Sequence, residues 1–229
     1  MIISMRVDSL KDSGNYLIQN ERNLLRLFAA KNPWTVLYFV LPYTLLALYL
    51  ARNFNYSLLE MGTLFIASIL YWSLAEYIIH RFFFHLNTSY KTLNYMIGSF
   101  HLYHHKNPDD LQVINSGWFT ALFGLFLHGS IFYLLTFSFK YSLALIIGTL
   151  IVYYYYEWIH YLVHQRVYNK GFMKYYQDFH LTHHVKAKKN FGQITPIWDY
   201  VFKTQIKNLD TRQNKSMLKF IKKANDARA

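Results

Sequence analysis

The sequence predicts an all-α integral membrane protein with four transmembrane helices and a cytoplasmic, histidine-rich helical cap. Three observations support this fold class. Of the 229 residues, 53% are hydrophobic and only 16% are charged, and the apolar residues are concentrated in long uncharged runs. Ten of the eleven histidines lie in four short clusters next to these runs. The chain contains no cysteine, which excludes a disulfide framework, a thiolate zinc site and an iron–sulfur cluster.

The uncharged runs define the four predicted spans. Residues 34–50 form the first run, which at about 1.5 Å per residue can cross a tilted or locally thinned bilayer. Residues 56–79 form the second run, which only two glutamates interrupt. Residues 111–139 and 141–156 carry no formal charge on either side of Lys140. This pattern indicates a helical hairpin with the lysine at its tip.

Composition divides the chain into three parts. We expect residues 1–33 to be an N-terminal segment at the membrane surface, because residues 16–28 mix leucines with arginines as an amphipathic interfacial helix does. Residues 34–204 form the membrane domain, which comprises the four spans and the cap. Residues 205–229 form a basic C-terminal tail.

The lysines and arginines predict how the chain is oriented in the membrane. They are numerous before the first span, between His80 and Asp110, and after His160, whereas each short turn carries one. By the positive-inside rule, both termini and the histidine clusters lie on the cytoplasmic side. The net charge of +12 accompanies membrane spans, so we expect an anionic lipid surface or an acidic protein partner, and no nucleic acid.

The spacing of the histidines is typical of metal ligands carried on helices. In the two triplets, HLYHH and HLTHH, the histidines stand at positions i, i+3 and i+4, so each triplet projects from one helical face. His80 and His85 are five apart and do not share a face on an ideal α-helix. One of them is therefore expected where the helix ends or loosens. The clustered histidines are His80, His85, His101, His104, His105, His160, His164, His180, His183 and His184.

Ten clustered histidines indicate a site for two metal ions. A single ion uses about four to six ligands, and neutral imidazole binds zinc, copper, iron and nickel. Two redox-active irons that activate dioxygen suit ten ligands better than zinc, whose structural sites need four. Zinc remains open as the ion of a purified or crystallised form. The remaining histidine, His128, stands apart and is interpreted as a core residue.

Two glutamates precede the two histidine pairs. Glu76 lies four residues before His80, and Glu157 lies three residues before His160. A carboxylate at such a spacing can accept a hydrogen bond from the ring N–H that a metal-bound histidine leaves free. We therefore expect these glutamates to orient the ligands.

The four clusters resemble those of the membrane fatty acid hydroxylase/sterol desaturase superfamily. The matching motifs are EYIIHRFFFH from Glu76, HLYHHKNPDD from His101, YYEWIHYLVH from Tyr155, and HLTHHVKAKKNFGQITPIWDYVFKT from His180, which includes the pair Trp198 and Asp199. The separation of five residues in the first pair is most similar to the fatty acid 2-hydroxylase branch. The resemblance covers residues 76–204, more than half of the chain.

This resemblance implies a cytoplasmic centre of two iron ions with the ten clustered histidines as ligands. It also implies an oxygenase that uses O2 and two electrons to hydroxylate an acyl lipid, at the 2-position of a fatty acid or sphingolipid acyl chain. In the 2-hydroxylases an aromatic and acidic group near the substrate entry precedes the third cluster. Tyr153, Tyr156 and Glu157 occupy those places here and are the candidate catalytic residues, with glutamate where the family more often has aspartate.

The resemblance also bears on the electron donor. Eukaryotic relatives often carry an N-terminal cytochrome b5 domain, and the segment before Trp34 is too short to hold one. We therefore expect a separate donor of the ferredoxin or cytochrome b5 type. An acidic donor is expected to dock on Lys186, Lys188 and Lys189, which follow the last histidine triplet. Contact with lipid headgroups is the alternative for these lysines.

Three function classes are compatible with these residues. An iron-dependent lipid oxygenase is the first, with acyl 2-hydroxylation favoured over sterol or carotenoid oxidation and over desaturation. A metal-ion transporter is the second, but it would place its ligands near the bilayer midplane rather than at the ends of the spans. A haem-binding electron carrier is the third, and it needs one axial pair per haem rather than triplets.

Overall fold

The structure is a computed structural model that describes residues 28–86, 88–90, 93–94, 97–108, 110, 113–206 and 218–219. The predicted interfacial helix over residues 16–28 and the tail over residues 205–229 lie almost entirely outside this part of the chain. The predicted domain division therefore stays a prediction. The elements are β1 (Ala29–Ala30), α1 (Pro33–Ala51), α2 (Leu58–Ile78), the π-helical segments Ile79–Phe84 and Gly98–Leu102, α3 (Tyr103–Lys106), β2 (Asn115–Ser116), α4 (Trp118–Thr136), α5 (Phe139–Gln165), α6 (Gly171–Val185) and α7 (Ile197–Val201).

Four of the described helices are long and apolar enough to cross a membrane. They are α1, α2 together with its π-helical continuation, α4 and α5, with 19 or 27 residues each. The first two predicted runs coincide with α1 and α2 to within a few residues. The third run was predicted from residue 111, but its helix begins only at Trp118.

The residues before α4 correct the all-α prediction. Asn115–Ser116 form a short antiparallel strand pair with Ala29–Ala30, in the register Ala29 to Ser116 and Ala30 to Asn115. The backbone N–H of Gly117 extends the pairing by donating to the carbonyl of Phe28 at 2.8 Å. Buried backbone N–H and C=O groups need hydrogen-bond partners, and here the pairing of the two strands supplies them. The chain is therefore mostly helical rather than entirely so.

Helix α5 lies at the centre of the bundle and packs against α1, α2 and α4. Its close approach to α2 depends on Gly148, where an added Cβ would lie 2.4 Å from Oγ of Ser68. The Ser68 hydroxyl also lies 3.2 Å from the carbonyl oxygen of Leu145, across the same contact. Small residues that let two backbones approach are a common means of helix packing in membranes.

Helices α2 and α5 begin at the same end of the bundle. Ser57 and Glu60 form a capping box at the start of α2, and the Glu60 carboxylate pairs with Lys140 Nζ at 2.7 Å. Twenty residues of helix separate Glu60 from His80 and Lys140 from His160, which is about 30 Å, the thickness of a bilayer hydrocarbon core. Both helices therefore deliver their histidines to the other end of the bundle.

Candidate metal centre

A π-helical turn brings the first histidine pair to one side of its helix. Helix α2 widens at Ile79–Phe84, the segment that carries His80 and ends at His85. A π-helix forms i to i+5 hydrogen bonds, so residues five apart lie nearly above one another. The prediction that the helix loosens between His80 and His85 is confirmed, and the π-turn is the form that this loosening takes.

One histidine group gathers five ring nitrogens. Its members come from the π-turn of α2, from the segment around α3 and from α6, and they are His80, His85, His101, His105 and His183. Neighbouring Nε2 atoms within the group lie 3.0 to 3.2 Å apart. We call this set the first histidine group.

A second histidine group forms beside the first. His104, His160, His164 and His180 bring their ring nitrogens within 4.8 Å of one another. Nε2 of His184 lies 3.0 Å from Nε2 of His180 and makes this a group of five, the second histidine group. Within it, Nε2 of His164 lies 2.8 Å from Nε2 of His180.

In each triplet, the middle histidine belongs to one group and the two outer histidines belong to the other. His101 and His105 belong to the first group, whereas His104 belongs to the second. In the same way, His180 belongs to the second group and His183 to the first. On a helix, adjacent residues point about 100° apart, so the last two histidines of a triplet cannot reach the same ion. The expectation that each triplet serves one face as a unit was too simple.

The nitrogen separations fit metal ions. A metal–imidazole bond is about 2.0 to 2.1 Å long, so two ligands at right angles around one ion place their nitrogens about 3 Å apart. Burial lowers the pKa of His105 to about 3 and the pKa of His85 to about 4. These imidazoles are therefore neutral at pH 7 and offer a lone pair. The ten histidines form two clusters that could each hold a metal ion.

Backbone carbonyls, not glutamates, accept a hydrogen bond from the second ring nitrogen of His80 and His183. Nδ1 of His80 donates to the carbonyl of Phe191 at 2.6 Å, and Nδ1 of His183 donates to the carbonyl of Lys189 at 2.7 Å. The Glu76 carboxylate instead accepts from the backbone N–H groups of Gln193 and Ile194. The prediction for Glu76 was wrong, because its two oxygens bind the loop that follows α6.

Glu157 also binds backbone rather than a histidine. Its carboxylate accepts from the Asn115 side-chain amide at 2.7 Å and from the Ser116 backbone N–H at 3.1 Å. The predicted link from Glu157 to His160 was therefore wrong, since this carboxylate is saturated by strand β2.

The candidate catalytic residues occupy different positions around the site. Tyr153 and Tyr156 line a cavity of about 480 Å³ between α2, α4 and α5. Glu157 is fully buried and does not line this cavity. His128 lies outside both histidine groups, although it borders the same cavity, and its Nδ1 is 2.6 Å from the Tyr71 hydroxyl. The structure thus agrees with the interpretation of His128 as a core residue.

The loop over residues 189–194 was not identified from the sequence as part of the site. It supplies the carbonyls that hold His80 and His183, and the ring of Phe191 lies against His80, His85 and His183. Any residue can supply a backbone carbonyl, so the residue types of the loop gave no signal. The only signal that could have found the loop is its position just after the last triplet.

Four candidate membrane helices and two clusters of histidines that could bind metal define a class of histidine-rich membrane enzymes. The family model described as fatty acid hydroxylase matches residues 65–204. The chain belongs to the fatty acid hydroxylase family, as its motifs predicted. The interpretation as an enzyme is confirmed with it.

Curated relatives and a solved structure agree with this assignment. A dihydroceramide fatty acyl 2-hydroxylase of Arabidopsis thaliana is 30% identical over 176 residues, which cover 75% of this chain and 72% of that protein. The fatty acid 2-hydroxylase of Rattus norvegicus is 32% identical over 154 residues, which cover 62% of this chain and 39% of the rat protein. The structure of full-length scs7p, in which only the hydroxylase domain is visible, matches with a TM-score of 0.71 at 25% identity, covering 86% of this chain and 72% of that one.

Proposed function

We propose that the protein is a membrane-bound acyl 2-hydroxylase. Its reaction inserts one atom of O2 into a C–H bond beside the acyl carbonyl, and the other atom leaves as water with two electrons and two protons. The observation that supports this most strongly is a largely apolar cavity between the candidate membrane helices that extends to His80 of the first histidine group. The names of the relatives support the position of the new hydroxyl group and the acyl nature of the substrate.

The main cavity has the shape and lining that an acyl chain needs. Its walls are largely apolar, and it reaches from His80 to Phe132 near the end of α4 and Ile146 in the first half of α5. About 20 Å of helix separates Ile146 from the level of His160. At about 480 Å³ the cavity falls within the usual range of small-molecule sites.

The cavity opens sideways, toward lipid. Phe82 at the end of α2 and Phe123 on α4 border it and expose more than half of their surface. Exposed aromatic side chains at this depth are suited to contact acyl chains of the bilayer. A lipid substrate would therefore enter between α2 and α4 without passing through water.

A second, small cavity of about 20 Å³ lies between the two histidine groups. His80 and His101 border it from the first group, and His104, His160 and His180 border it from the second. The two cavities share His80, Phe84, Ser116 and Tyr156 as lining residues. We propose that the reacting carbon lies at this junction.

The three candidate catalytic residues have different roles around this junction in the proposal. Tyr156 borders both cavities, so its side chain positions the acyl carbon next to the histidine groups. Tyr153 borders the main cavity and shapes the path of the chain. Glu157 holds Asn115 and Ser116, and Ser116 forms part of the wall at the junction.

We propose that each histidine group holds one iron ion. Five nitrogen donors exceed the four that a structural zinc site uses, and imidazole is a common ligand of iron. When bound, the two irons supply the activation of O2. The chain itself holds the ligands, orients the substrate and excludes water.

Lipid analysis tests the function as a whole. We expect expression in a host without 2-hydroxy lipids to produce acyl lipids that gain one oxygen, located at carbon 2 by fragmentation mass spectrometry. The matched control is expression of His164→Ala, which removes one ligand of the second group. Oxygen at another carbon, a sterol product or a loss of two hydrogens would contradict the proposal.

Cavity filling provides a test of the acyl path. Gly124 lines the main cavity, and a phenylalanine there would occupy the space of the chain's tail. We expect Gly124→Phe to lower kcat/KM for the longest accepted acyl chains at least about tenfold, and to affect shorter chains less. Gly62→Phe is the matched control, because a Cβ at this exposed glycine of α2 meets nothing within 4 Å. Equal loss for all chain lengths would place the tail elsewhere.

We propose that an acidic electron donor docks beside the first histidine group. Lys186 and Lys188 are exposed, and Lys189, whose carbonyl binds His183, follows them directly. We expect Lys186→Glu with Lys188→Glu to lower kcat/KM for the donor about tenfold, and added salt to weaken the wild-type reaction. Lys170→Glu, an exposed lysine at the other end of α6, is the control. Unchanged kinetics in both tests would assign these lysines to lipid headgroups.

We propose that the histidine groups face the cytoplasm, on the strength of the lysine and arginine distribution. The cysteine-free chain allows a simple labelling test. In intact cells, an impermeant thiol reagent is expected to label Asn53→Cys, at the turn before α2, and to leave Lys188→Cys unlabelled. Labelling of Lys188→Cys from outside would reverse the orientation.

A further inference from the structure

Two buried carboxylates hold the loop over residues 189–194 by four consecutive backbone N–H groups. Asp199 accepts from the N–H of Phe191 at 2.9 Å and from the N–H of Gly192 at 2.7 Å. Glu76 accepts from the next two. Both carboxylates are at most 4% exposed, and neither pairs with a lysine or arginine among the described residues.

Buried carboxylates without a countercharge are unfavourable unless hydrogen bonds compensate them. Asp199 has such compensation, because the Thr204 hydroxyl donates to the same Oδ1 at 2.6 Å. The Tyr77 hydroxyl in turn lies 2.9 Å from Oγ1 of Thr204. The carboxylate is therefore fixed on both sides, with Oδ2 directed at Gly192.

One peptide group connects Asp199 to a histidine. The peptide between Phe191 and Gly192 presents its carbonyl to Nδ1 of His80 at 2.6 Å and its N–H to Oδ2 of Asp199 at 2.7 Å. A charged acceptor on the N–H side polarises the peptide and strengthens its carbonyl as an acceptor. Asp199 thereby affects the His80 ring through this peptide group, although the two side chains are not in contact.

Gly192 is necessary for this arrangement. An added Cβ would lie 2.3 Å from the carbonyl oxygen of Thr195 and 3.1 Å from Oδ2 of Asp199. A backbone neighbour at that distance cannot give way, so any side chain here would displace the loop from the carboxylate.

We propose that Asp199 is a positioning residue for the first histidine group, acting on His80 through the peptide between Phe191 and Gly192. The hydrogen bond on Nδ1 fixes the ring so that Nε2 carries the lone pair, and it raises the basicity of that nitrogen toward a metal. Asp199 does not touch the second group. This inference rests on the proposal that each group holds a metal ion, and its effect is confined to one of the two ions.

Metal affinity in two single-site backgrounds tests the inference. His164→Ala disables the second group, so that the remaining ion reports on the first, and His183→Ala does the reverse. In the His164→Ala background we expect Asp199→Asn to lower cobalt(II) affinity about 10- to 100-fold, by competition with a chelator. In the His183→Ala background we expect the affinity to stay within about twofold.

Thr204→Val is the matched control. It removes a buried hydrogen bond from Oδ1 of Asp199 but keeps the negative charge and the link from Oδ2 to Gly192, so in the His164→Ala background we expect a smaller loss of affinity than from Asp199→Asn, and in the His183→Ala background none. If Asp199→Asn does not fold, Asp199→Ser, which removes the same charge, is expected to give the same selective loss. An equal loss in both backgrounds, or none in the first, would overturn the inference. A wild-type chain that binds no metal would overturn the proposed function instead.

Discussion

Replacement of His164 by alanine is expected to abolish hydroxylation and to lower the bound metal from two ions per chain to one. His164 is 1% exposed, and its Nε2 lies 2.8 Å from that of His180 in the second histidine group. Loss of a residue that only supports a ligand already reduces affinity or activity about 10- to 100-fold, so loss of a ligand should lower turnover at least about 100-fold. Elemental analysis of the purified chain and a product assay measure the two effects.

His128→Ala is the matched control for this experiment. His128 is also a buried histidine, but its Nδ1 faces the Tyr71 hydroxyl and it belongs to neither group. We expect this variant to keep both ions; its metal content is the control, because His128 also lines the main cavity. Loss of metal on changing His128, or full metal content and activity in His164→Ala, would show that the ligands are assigned wrongly.

Exchange of the metal ions is expected to separate metal binding from hydroxylation activity completely. Removal of the ions with a chelator should leave an inactive chain, and iron(II) should restore hydroxylation. Zinc(II) should bind at least as tightly, since the affinity order of divalent ions favours it over iron(II), but zinc has no redox chemistry and should yield no product. The assay compares product per chain at a measured metal content of two.

The zinc-loaded chain is its own control, because it shows that the sites are intact and filled. Zinc should also protect the chain against thermal unfolding, as any ligand that binds only the folded state does. Hydroxylated product from a zinc-loaded, iron-free chain would contradict the assignment of two irons.

The spans and the histidine clusters could be predicted from the sequence because both depend on local patterns. Uncharged runs near the length of a bilayer core fixed α1 and α2 to within a few residues. The start of α4 could not be found in this way, since residues 113–117 are as uncharged as the helix that follows. Their structure is decided by a distant partner strand and by Glu157, and neither is visible in a local window.

The division of the histidines into two groups could not be predicted from the sequence, for a geometric reason. Spacing shows which residues share a helical face, but not toward which ion each side chain points. His104 and His183 cross to the other group because adjacent helical positions diverge by about 100°. The acceptors of His80 and His183 were missed because they are backbone carbonyls, which any residue provides. The spacing of the glutamates suited that role, but Glu76 binds a loop and Glu157 binds a strand.

Oxygen-18 labelling of the purified, iron-loaded protein tests the central claim most directly. With a reducing donor, an acyl substrate and labelled dioxygen, we expect one labelled oxygen atom at carbon 2 of the product, located by fragmentation mass spectrometry. Oxygen derived from water, a label at another carbon, or a new double bond without added oxygen would contradict an acyl 2-hydroxylase built on the two histidine groups.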